Sequence, residues 1–512
     1  MASIREPFFS TYYSTCAKRP PWLEQLGNAS EWDAGKFGSV IGDLHSRGLI
    51  RQSKHDSQDI PDGTSYSIDP DMRAWIRQRP ESSGEDYAVE ALLLLSAFIR
   101  ASTDCPIPLQ IQLQVLAHLN FFLSDQTLRE RIIAESAREI TSKSIALCFA
   151  NFFRKCSRLK DSKTLLEELL LQAQGGSSEN ILAIVDIQLE LGATLRDNSQ
   201  YGKAEKQYRA VGESAEALDP ERRCRYLIGL GDSNGGQFHF REARAFAKKA
   251  LVLAGDIRDR GRLLTEARIL LAKLEGSLGN VKEAGDIINN AFNDATKPDS
   301  LGPEDNLTLE ASIGVAGDLM MKMQTIGEAK NRIEKTLATV EARNGPDHRL
   351  TLNCIFILGD IYGRTGYFEE ARNWFLLEKS RAETLFGDTP GDAKLELQIG
   401  FTYRAEQKYD LAEMQFDKAL KKAQEIDDES TKRLASGNLF LFYLTQLRLL
   451  EAIPLFFDFV GTFPFAFVLR TNKIFVFLAS IFLTLLLLSG LRGNLATAII
   501  VSVVVGIIGL CL

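Results

Sequence analysis

The chain has 512 residues, of which 45% are hydrophobic and 25% are charged, and its formal net charge is −7. This composition is that of a folded globular protein, and it excludes a wholly disordered, collagen-like or disulfide-rich chain. Residues 471–512 contain two basic residues, Lys473 and Arg492, and no acidic residue, so residues 1–470 carry a charge of −9. A mildly acidic body gives no electrostatic reason to expect nucleic-acid binding.

Residues 1–21 are predicted to form an N-terminal tail, and they lack the long apolar core of a signal peptide. Residues 22–80 then predict a small domain in which a helix ending near Gly48 is followed by two short strands, one beginning within 49–52 and the other at 65–68. A second helix is predicted at 72–78, just after Pro70. The order helix, strand, strand, helix is typical of a winged helix.

The end of this segment reads Tyr66-Ser67-Ile68-Asp69-Pro70-Asp71-Met72-Arg73-Ala74-Trp75. It resembles the winged helix of fungal STAND-type NTPases (NB-ARC or NACHT proteins), in which a Ser-Ile-His-Pro pattern precedes a tetratricopeptide array. Asp69 stands where that family commonly has His, so a nucleotide-sensing role of the His does not carry over. The chain contains no G-x-x-x-x-G-K-[ST] phosphate-binding motif. The resemblance therefore implies the winged-helix and repeat half of such a protein without its ATPase core.

Residues 85–185 are predicted to be a helical lead-in to a repeat array. Apolar residues recur at helical spacing from Tyr87 to Ala137. Residues 144–174 predict a degenerate first hairpin, because Ser162 precedes Ala204 by one repeat period and follows Ala150 by twelve positions. The register of the stretch from Tyr87 to Ala137 stays open.

An internal repeat dominates residues 186–460. Its marker is an alanine followed by an aromatic or aliphatic residue four positions later and, in all copies but the last, preceded by a small residue twelve positions earlier. The marker alanines, which recur at intervals of thirty-nine to forty-five positions, are Ala204, Ala243, Ala284, Ala329, Ala371, Ala412 and Ala452. A small residue facing an alanine lets two helices approach closely, and the residue four positions on fills the layer to the next hairpin.

This spacing resembles the tetratricopeptide repeat, although the period, near forty-one positions, is longer than the usual ~34 residues. The loop 301–309 aligns with the loop 344–352, and both contain Gly-Pro followed by an acidic residue. With the long period, this loop resembles the kinesin-light-chain type of tetratricopeptide repeat. The resemblance implies a mainly α-helical solenoid whose concave groove binds protein segments. The prolines agree, because Pro220, Pro298, Pro303, Pro346 and Pro390 all fall between hairpins.

The sequence contains no recognisable enzyme site. Its five histidines do not pair with another His or Cys at ligand spacing, and no G-x-S-x-G motif occurs. His348, in the repeat loop, is predicted to cap or pack. The seven cysteines lack a C-x-x-C pair and are interpreted as free thiols. No catalytic residue, cofactor or metal is predicted, and an enzyme with an unrecognised site is the least favoured hypothesis.

The candidate site is therefore a protein-binding groove on the first helices of the repeats. If Gly359 and Gly400 hold the small position, the residue directly after each of them and the one about a turn later point toward the groove, and one residue one to two turns earlier lies on the same face. The candidates are Asn353, Asp360, Arg364, Lys394, Phe401 and Arg404. The residue directly after the small position is never Asn, so a carboxylate clamp of the kind that binds chaperone C-termini is not expected. A solvated helix face is the alternative for each single residue.

Residues 474–512 predict a C-terminal transmembrane hairpin. Two uncharged apolar runs, 474–491 and 495–512, flank the polar turn at Arg492. Each run approaches the ~20 residues that a membrane-spanning helix needs. The alternatives are one span with a re-entrant piece, a buried core helix, or a wrong gene-model terminus. Arg470 and Lys473 favour a cytosolic start for the first span, although Arg492 weakly opposes this.

Two functional hypotheses follow. The first is a non-enzymatic scaffold that binds a protein or peptide in the repeat groove and is anchored to an intracellular membrane through 474–512, with the repeats in the cytosol. The second is a regulatory or sensor fragment of a STAND-type NTPase, whose ATPase core is missing or supplied by another chain. A natural truncation, a paralogue without the ATPase, and a misplaced gene start are open explanations of that absence.

Overall fold

A computed structural model describes residues 6–15, 21–26, 31–47, 49–54, 64–68, 84–102, 107–138, 144–175, 181–212, 218–257, 261–297, 299–322, 325–386, 390–425 and 429–445. The chain divides into two compact units, Met1–Asp392 and Ala393–Leu512.

The N-terminal part of the first unit combines short helices with one antiparallel hairpin. Its elements are α1 Glu6–Thr15, α2 Pro21–Glu24, α3 Ala34–Ser46, β1 Ile50–Lys54, β2 Thr64–Ile68, α4 Gly84–Ala101, α5 Leu109–Leu123 and α6 Gln126–Arg138. Strand β1 pairs with β2, with Ile50 opposite Ile68. The side chain of Asp33 caps α3 by accepting from Lys36 N at 3.0 Å. The helix predicted at 72–78 lies outside the described residues.

Helical hairpins make up the rest of the described residues. In the first unit they are α7 Ile145–Lys155 with α8 Leu159–Gln174, α9 Ile181–Asp197 with α10 Tyr201–Gly212, α11 Pro220–Gly236 with α12 Phe240–Ala254, α13 Arg262–Ser277 with α14 Val281–Ala295, α15 Asn306–Met321 with α16 Ile326–Asn344, and α17 Arg349–Arg364 with α18 Phe368–Phe386. The following helices are α19 Pro390–Ala405, α20 Tyr409–Glu425 and α21 Glu429–Thr445. The tetratricopeptide-like solenoid predicted from the period is therefore present.

The hydrophobic core joins the N-terminal helices to the first repeats. One cluster of buried side chains extends from Phe8 in α1 to Leu230 in α11. The rings of Phe8 and Phe98 meet edge to face, with centroids 4.4 Å apart, and so fix α1 against α4.

The marker alanines pack as the repeat pattern predicts. Five of them, Ala204, Ala243, Ala329, Ala371 and Ala412, are completely buried. Ala284 is half-buried, and Ala452 lies outside the described residues. At Gly359 an added Cβ would lie 2.5 Å from the ring of Phe375, and at Gly400 it would lie 2.5 Å from the ring of Phe416. The small residue is therefore required by the aromatic residue that lies four positions after the alanine.

The turn inside each hairpin repeats as well. The residue five positions before the marker alanine has a left-handed backbone conformation at Ser199, Phe238, Gly279, Gly366 and Gln407. Ser157 adopts the same conformation, with φ of 60°, five residues before Ser162. The hairpin of α7 and α8 thus has the same turn as the later repeats.

We expect Gly359→Ala to destabilise the protein by about 1–3 kcal/mol, because the new methyl group would overlap the buried ring of Phe375. Gly317 is the matched control, since it holds the same repeat position but has no atom within 4 Å of an added Cβ. Gly317→Ala should stabilise the helix by up to about 1 kcal/mol. Thermal unfolding of both variants would measure the difference. Equal melting temperatures would contradict the packing described here.

The prediction of a C-terminal transmembrane hairpin, and of membrane localisation with it, is corrected. None of the helices that the structure describes is both long enough and apolar enough to cross a membrane. The segment 474–512, on which the prediction was based, lies outside the described residues. The fold of the described residues is a mainly α-helical repeat solenoid.

Candidate functional site

The first helices of successive hairpins form one face of the first unit. Helix α9 contacts α11 as well as its own partner, and the same holds for α11 with α13, α13 with α15, and α15 with α17. Arg196 at the end of α9 reaches Glu266 in α13, two repeats on, at 3.3 Å. Side chains that are two repeats apart can meet only on the concave side of a curved array. We call this surface the inner face.

Charged side chains connect the first three helices of the inner face. Arg154 of α7 lies 3.4 Å from Glu190 and 3.1 Å from Asp197, both on α9. Arg225 of α11 donates a hydrogen bond to Glu190 from the opposite side. Asp197 also lies 3.3 Å from Arg196. These residues form an inner charge network in which each carboxylate is shared by two arginines.

The network continues along the later repeats. Glu310 of α15 accepts from Lys273 of α13 at 2.9 Å and from Arg349 of α17 at 3.4 Å. Arg262 of α13 donates to Asp305, before α15, at 2.7 Å. The Lys273 side chain is nevertheless 56% exposed, while that of Glu310 is 15% exposed. The inner face thus offers solvent-accessible charges that are surrounded by protein.

The arginines keep the acids of this network ionised. Burial alone would raise the pKa of Glu190, but Arg225 and Arg154 outweigh it and lower the pKa to about 2. Burial likewise opposes ionisation of Asp197, whose pKa is held at about 2 mainly by Arg196. At neutral pH the inner face therefore carries both signs of charge side by side.

Three of the predicted groove residues lie on α17. Asn353, Asp360 and Arg364 follow Arg349 by four, eleven and fifteen positions, which places all four on one stripe of the helix. Arg349 faces Glu310 of the preceding first helix, so the stripe belongs to the inner face. Arg364 donates to Asp360 at 3.2 Å, and Asn353 is half-buried.

The other three predicted residues lie on α19 in the second unit. Lys394 and Phe401 are half-buried, and Arg404 is exposed. The Arg404 guanidinium lies over the Phe401 ring, 5.4 Å from its centroid, in cation–π geometry. The ring of Phe401 also meets Phe416 edge to face.

Sequence reasoning missed the inner charge network of the earlier repeats. The signal was available in the register. In α17, Asn353 lies seven positions before Asp360, the residue that follows the small residue. The residues at the same position of α9, α11 and α13 are Asp186, Arg225 and Glu266. All three of these form ion pairs with another first helix. Applying the register to every repeat would have predicted them.

The remaining reactive residue types have structural surroundings. The four described cysteines are free, and burial raises the pKa of both Cys156 and Cys354 to about 12. Such thiols are poor nucleophiles at neutral pH. The described residues contain no group of three or more His, Cys, Asp or Glu side chains that could hold a metal ion.

No protein-family model matches the chain, and none of the curated proteins matches it. Among solved structures, it is similar to a chain of the APC/C hetero-tetramer Cut9–Hcn1, with 14% identity over 78% of this chain and a TM-score of 0.45; it spans 64% of that chain. It is similar to NprR in complex with its cognate peptide NprX, with 14% identity over 70% of this chain and 96% of NprR and a TM-score of 0.47. A Podosopora anserina putative kinesin light chain with nearly identical TPR-like repeats has 19% identity over 38% of this chain and 94% of that chain, with a TM-score of 0.29. These structural neighbours are TPR-like helical-repeat proteins.

Proposed function

We propose that the protein is a non-enzymatic scaffold that binds an extended segment of another protein along its inner face. The observation that carries this proposal is the inner charge network, which runs across the first helices α7 to α17. Enclosing ionised side chains costs free energy that an apolar face of the same shape would avoid. The charges on the inner face therefore favour a role in ligand recognition, in addition to any role in the stacking of hairpins.

The network also indicates the kind of segment. Acidic and basic groups alternate along the inner face, and Lys273 and Asp232 remain partly open to solvent. A segment of mixed charge could exchange some of these ion pairs for pairs with its own side chains. A segment whose charges all have one sign would leave the inner-face groups of that same sign unpaired. We therefore propose that the ligand carries both acidic and basic side chains.

The predicted groove residues form one group in each unit. Asn353, Asp360 and Arg364 on α17, and separately Lys394, Phe401 and Arg404 on α19, are proposed contacts for the bound segment. The Asp360–Arg364 pair lies one turn apart on the same helix and is partly exposed. Such a pair contributes little to stability and is free to reorganise around a ligand.

We expect Arg364→Ala, and independently Arg404→Ala, to leave the melting temperature within about 2 °C of wild type, because both side chains are exposed. Each should weaken capture of the partner several-fold. Lys335→Ala is the control, since Lys335 is exposed on the second helix α16. Quantitative affinity capture with the three variants would test the proposal. If the arginine variants unfold the protein, these residues are structural. If capture is unchanged while the fold is intact, α17 and α19 are not contacts.

A second candidate is the regulatory arm of a STAND-type switch. The order of α3, β1 and β2 favours it, because a helix followed by an antiparallel hairpin is part of a winged helix, the identity proposed for residues 22–80. The proposed boundaries that follow are a helical lead-in at 85–185 and repeats at 186–460. An in-frame phosphate-binding loop in transcripts extending upstream of Met1, or a STAND-type ATPase that co-purifies with the chain, would support this candidate. Finding neither would reject it.

A further inference from the structure

A contact beside the inner charge network joins distant parts of the first unit. The loop 345–349, which leads into α17, lies against the turn between α7 and α8, far earlier in the chain. The His348 ring lies 3.0 Å from the carbonyl oxygen of Lys155 through Nε2, and the backbone N–H of Arg349 donates to Ser157 Oγ at 3.0 Å. We call this contact the clasp.

Helix α5 completes the clasp. Gln112 Nε2 donates to the carbonyl of Ile107 at 2.6 Å and reaches that of Arg343 at 3.5 Å. A Cβ added at Gly345 would lie 3.4 Å from a methyl group of Leu109, and Gly345 is buried although it lies in a loop. The loop is thus held by α5 on one side and by the end of α7 on the other.

His348 holds the clasp through both of its ring nitrogens. Its Nδ1 accepts from the backbone N–H of Leu350 at 3.2 Å and caps α17, while Nε2 donates to Lys155. Only the neutral ring with its proton on Nε2 satisfies both bonds. A second proton on Nδ1 would point at the N–H of Leu350, and two donors would then face each other.

The surroundings oppose that second proton. Burial and, to a smaller extent, the neighbouring Arg349 lower the pKa of His348 to about 4, against the raising effects of the hydrogen bond to Lys155 and of Asp197. Lys155 presents its carbonyl from α7, and its own pKa is lowered by burial. From α5, the loop's neighbours Leu109 and Gln112 do not titrate. One acidic side chain, Asp197, and one basic side chain, Arg349, therefore act on the ring.

We infer that the clasp is an acid-sensitive gate of the inner face, closed while His348 is neutral and opened when the ring takes up a proton. Opening would separate α17 from the α7–α8 turn and widen access to the inner charge network, while the hairpins themselves stay folded. The consequence for a bound segment rests on the proposed function, whereas the opening itself does not.

Hydrogen exchange on the full chain without ligand tests the gate. The backbone N–H of Arg349 donates a hydrogen bond across the clasp, and that of Leu350 donates to the capping ring of His348. Exchange of these two N–H groups therefore reports opening directly. Between pH 7 and 4.5 we expect their protection factors, corrected for intrinsic exchange, to fall roughly 50- to 100-fold. Amides within α12 should keep their protection. His348→Asn retains a capping side chain but cannot titrate, so its clasp amides should change less than 3-fold.

A variant that opens the clasp at neutral pH distinguishes gating by His348 from general unfolding of the protein in acid. Leu109→Ala removes the apolar contact with Gly345 and should expose the same two amides at pH 7. Unchanged protection of Arg349 and Leu350 at pH 4.5 would overturn the inference, and so would an equal loss in His348→Asn. Loss of partner capture with normal gating would count against the proposed function alone.

Discussion

Ala371→Glu and Ala412→Glu are each expected to destabilise the protein by about 3–5 kcal/mol, because a glutamate there would place an unpaired charge and extra volume in a packed seam. Both alanines are completely buried. One turn further along each helix, Phe375 and Phe416 pack on the small residue of the preceding helix. Thermal unfolding followed by circular dichroism would measure the effect.

The matched control for this pair is Ala342→Glu, because Ala342 is exposed on α16. It should melt within about 2 °C of wild type. If Ala371→Glu and Ala412→Glu melt like this control, the alanines do not mark contacts between helices. The repeat register, and with it the proposed groove residues, would then be wrong.

Glu190→Gln is expected to have a comparable effect at neutral pH, a loss of about 3–5 kcal/mol. Glu190 is 5% exposed and lies between Arg154 and Arg225, so the amide would leave two enclosed guanidinium groups without their shared carboxylate. Glu304→Gln is the control. Glu304 is 71% exposed and pairs with Arg343 at 3.4 Å, and its loss should cost less than about 1 kcal/mol.

The same carboxylate sets a pH dependence. Because its pKa in the folded state is about 2 and its ordinary value is 4.5, the stabilisation by Glu190 is complete above about pH 4.5 and is lost as the pH falls toward 2. The free energy of unfolding of the native chain should therefore decrease steeply in that range, and that of Glu190→Gln should decrease less. Parallel curves for the two proteins would show that folding does not lower the pKa of Glu190.

The sequence predicted the parts of the fold that depend on a period. The alanine register follows from contacts between residues close in sequence, and Phe375 packs on Gly359 as the spacing requires. Gly317 shows the limit of that reasoning. It holds the same small position, yet nothing lies within 4 Å of its place for a side chain. Whether glycine is required at this position depends on the side chain that packs against it from the next helix. The sequence pattern alone does not specify how closely that side chain approaches.

The register gives the positions of some inner-face charges, but the partners of the inner charge network and of the clasp could not be predicted from the sequence in the same way. Their partners are separated by one or two repeats in the network and by several repeats in the clasp. Contacts over such separations depend on the curvature of the array, which many small helix-packing angles determine together. His348 is the intermediate case. Capping or packing by His348 was predicted from the repeated loop and is confirmed, because its side chain caps α17, as Asp305 caps α15 from the aligned position. Its bond to Lys155 was not predicted.

The most direct test of the central claim is site-specific photo-crosslinking of the full chain in cells. A photo-reactive residue at position 353 lies on the inner face, and one at position 335 lies on the exposed second helix α16. We expect position 353 to crosslink to a segment of mixed charge in a partner protein, and position 335 not to do so. Crosslinks to the same partner from position 335 alone would contradict binding on the inner face.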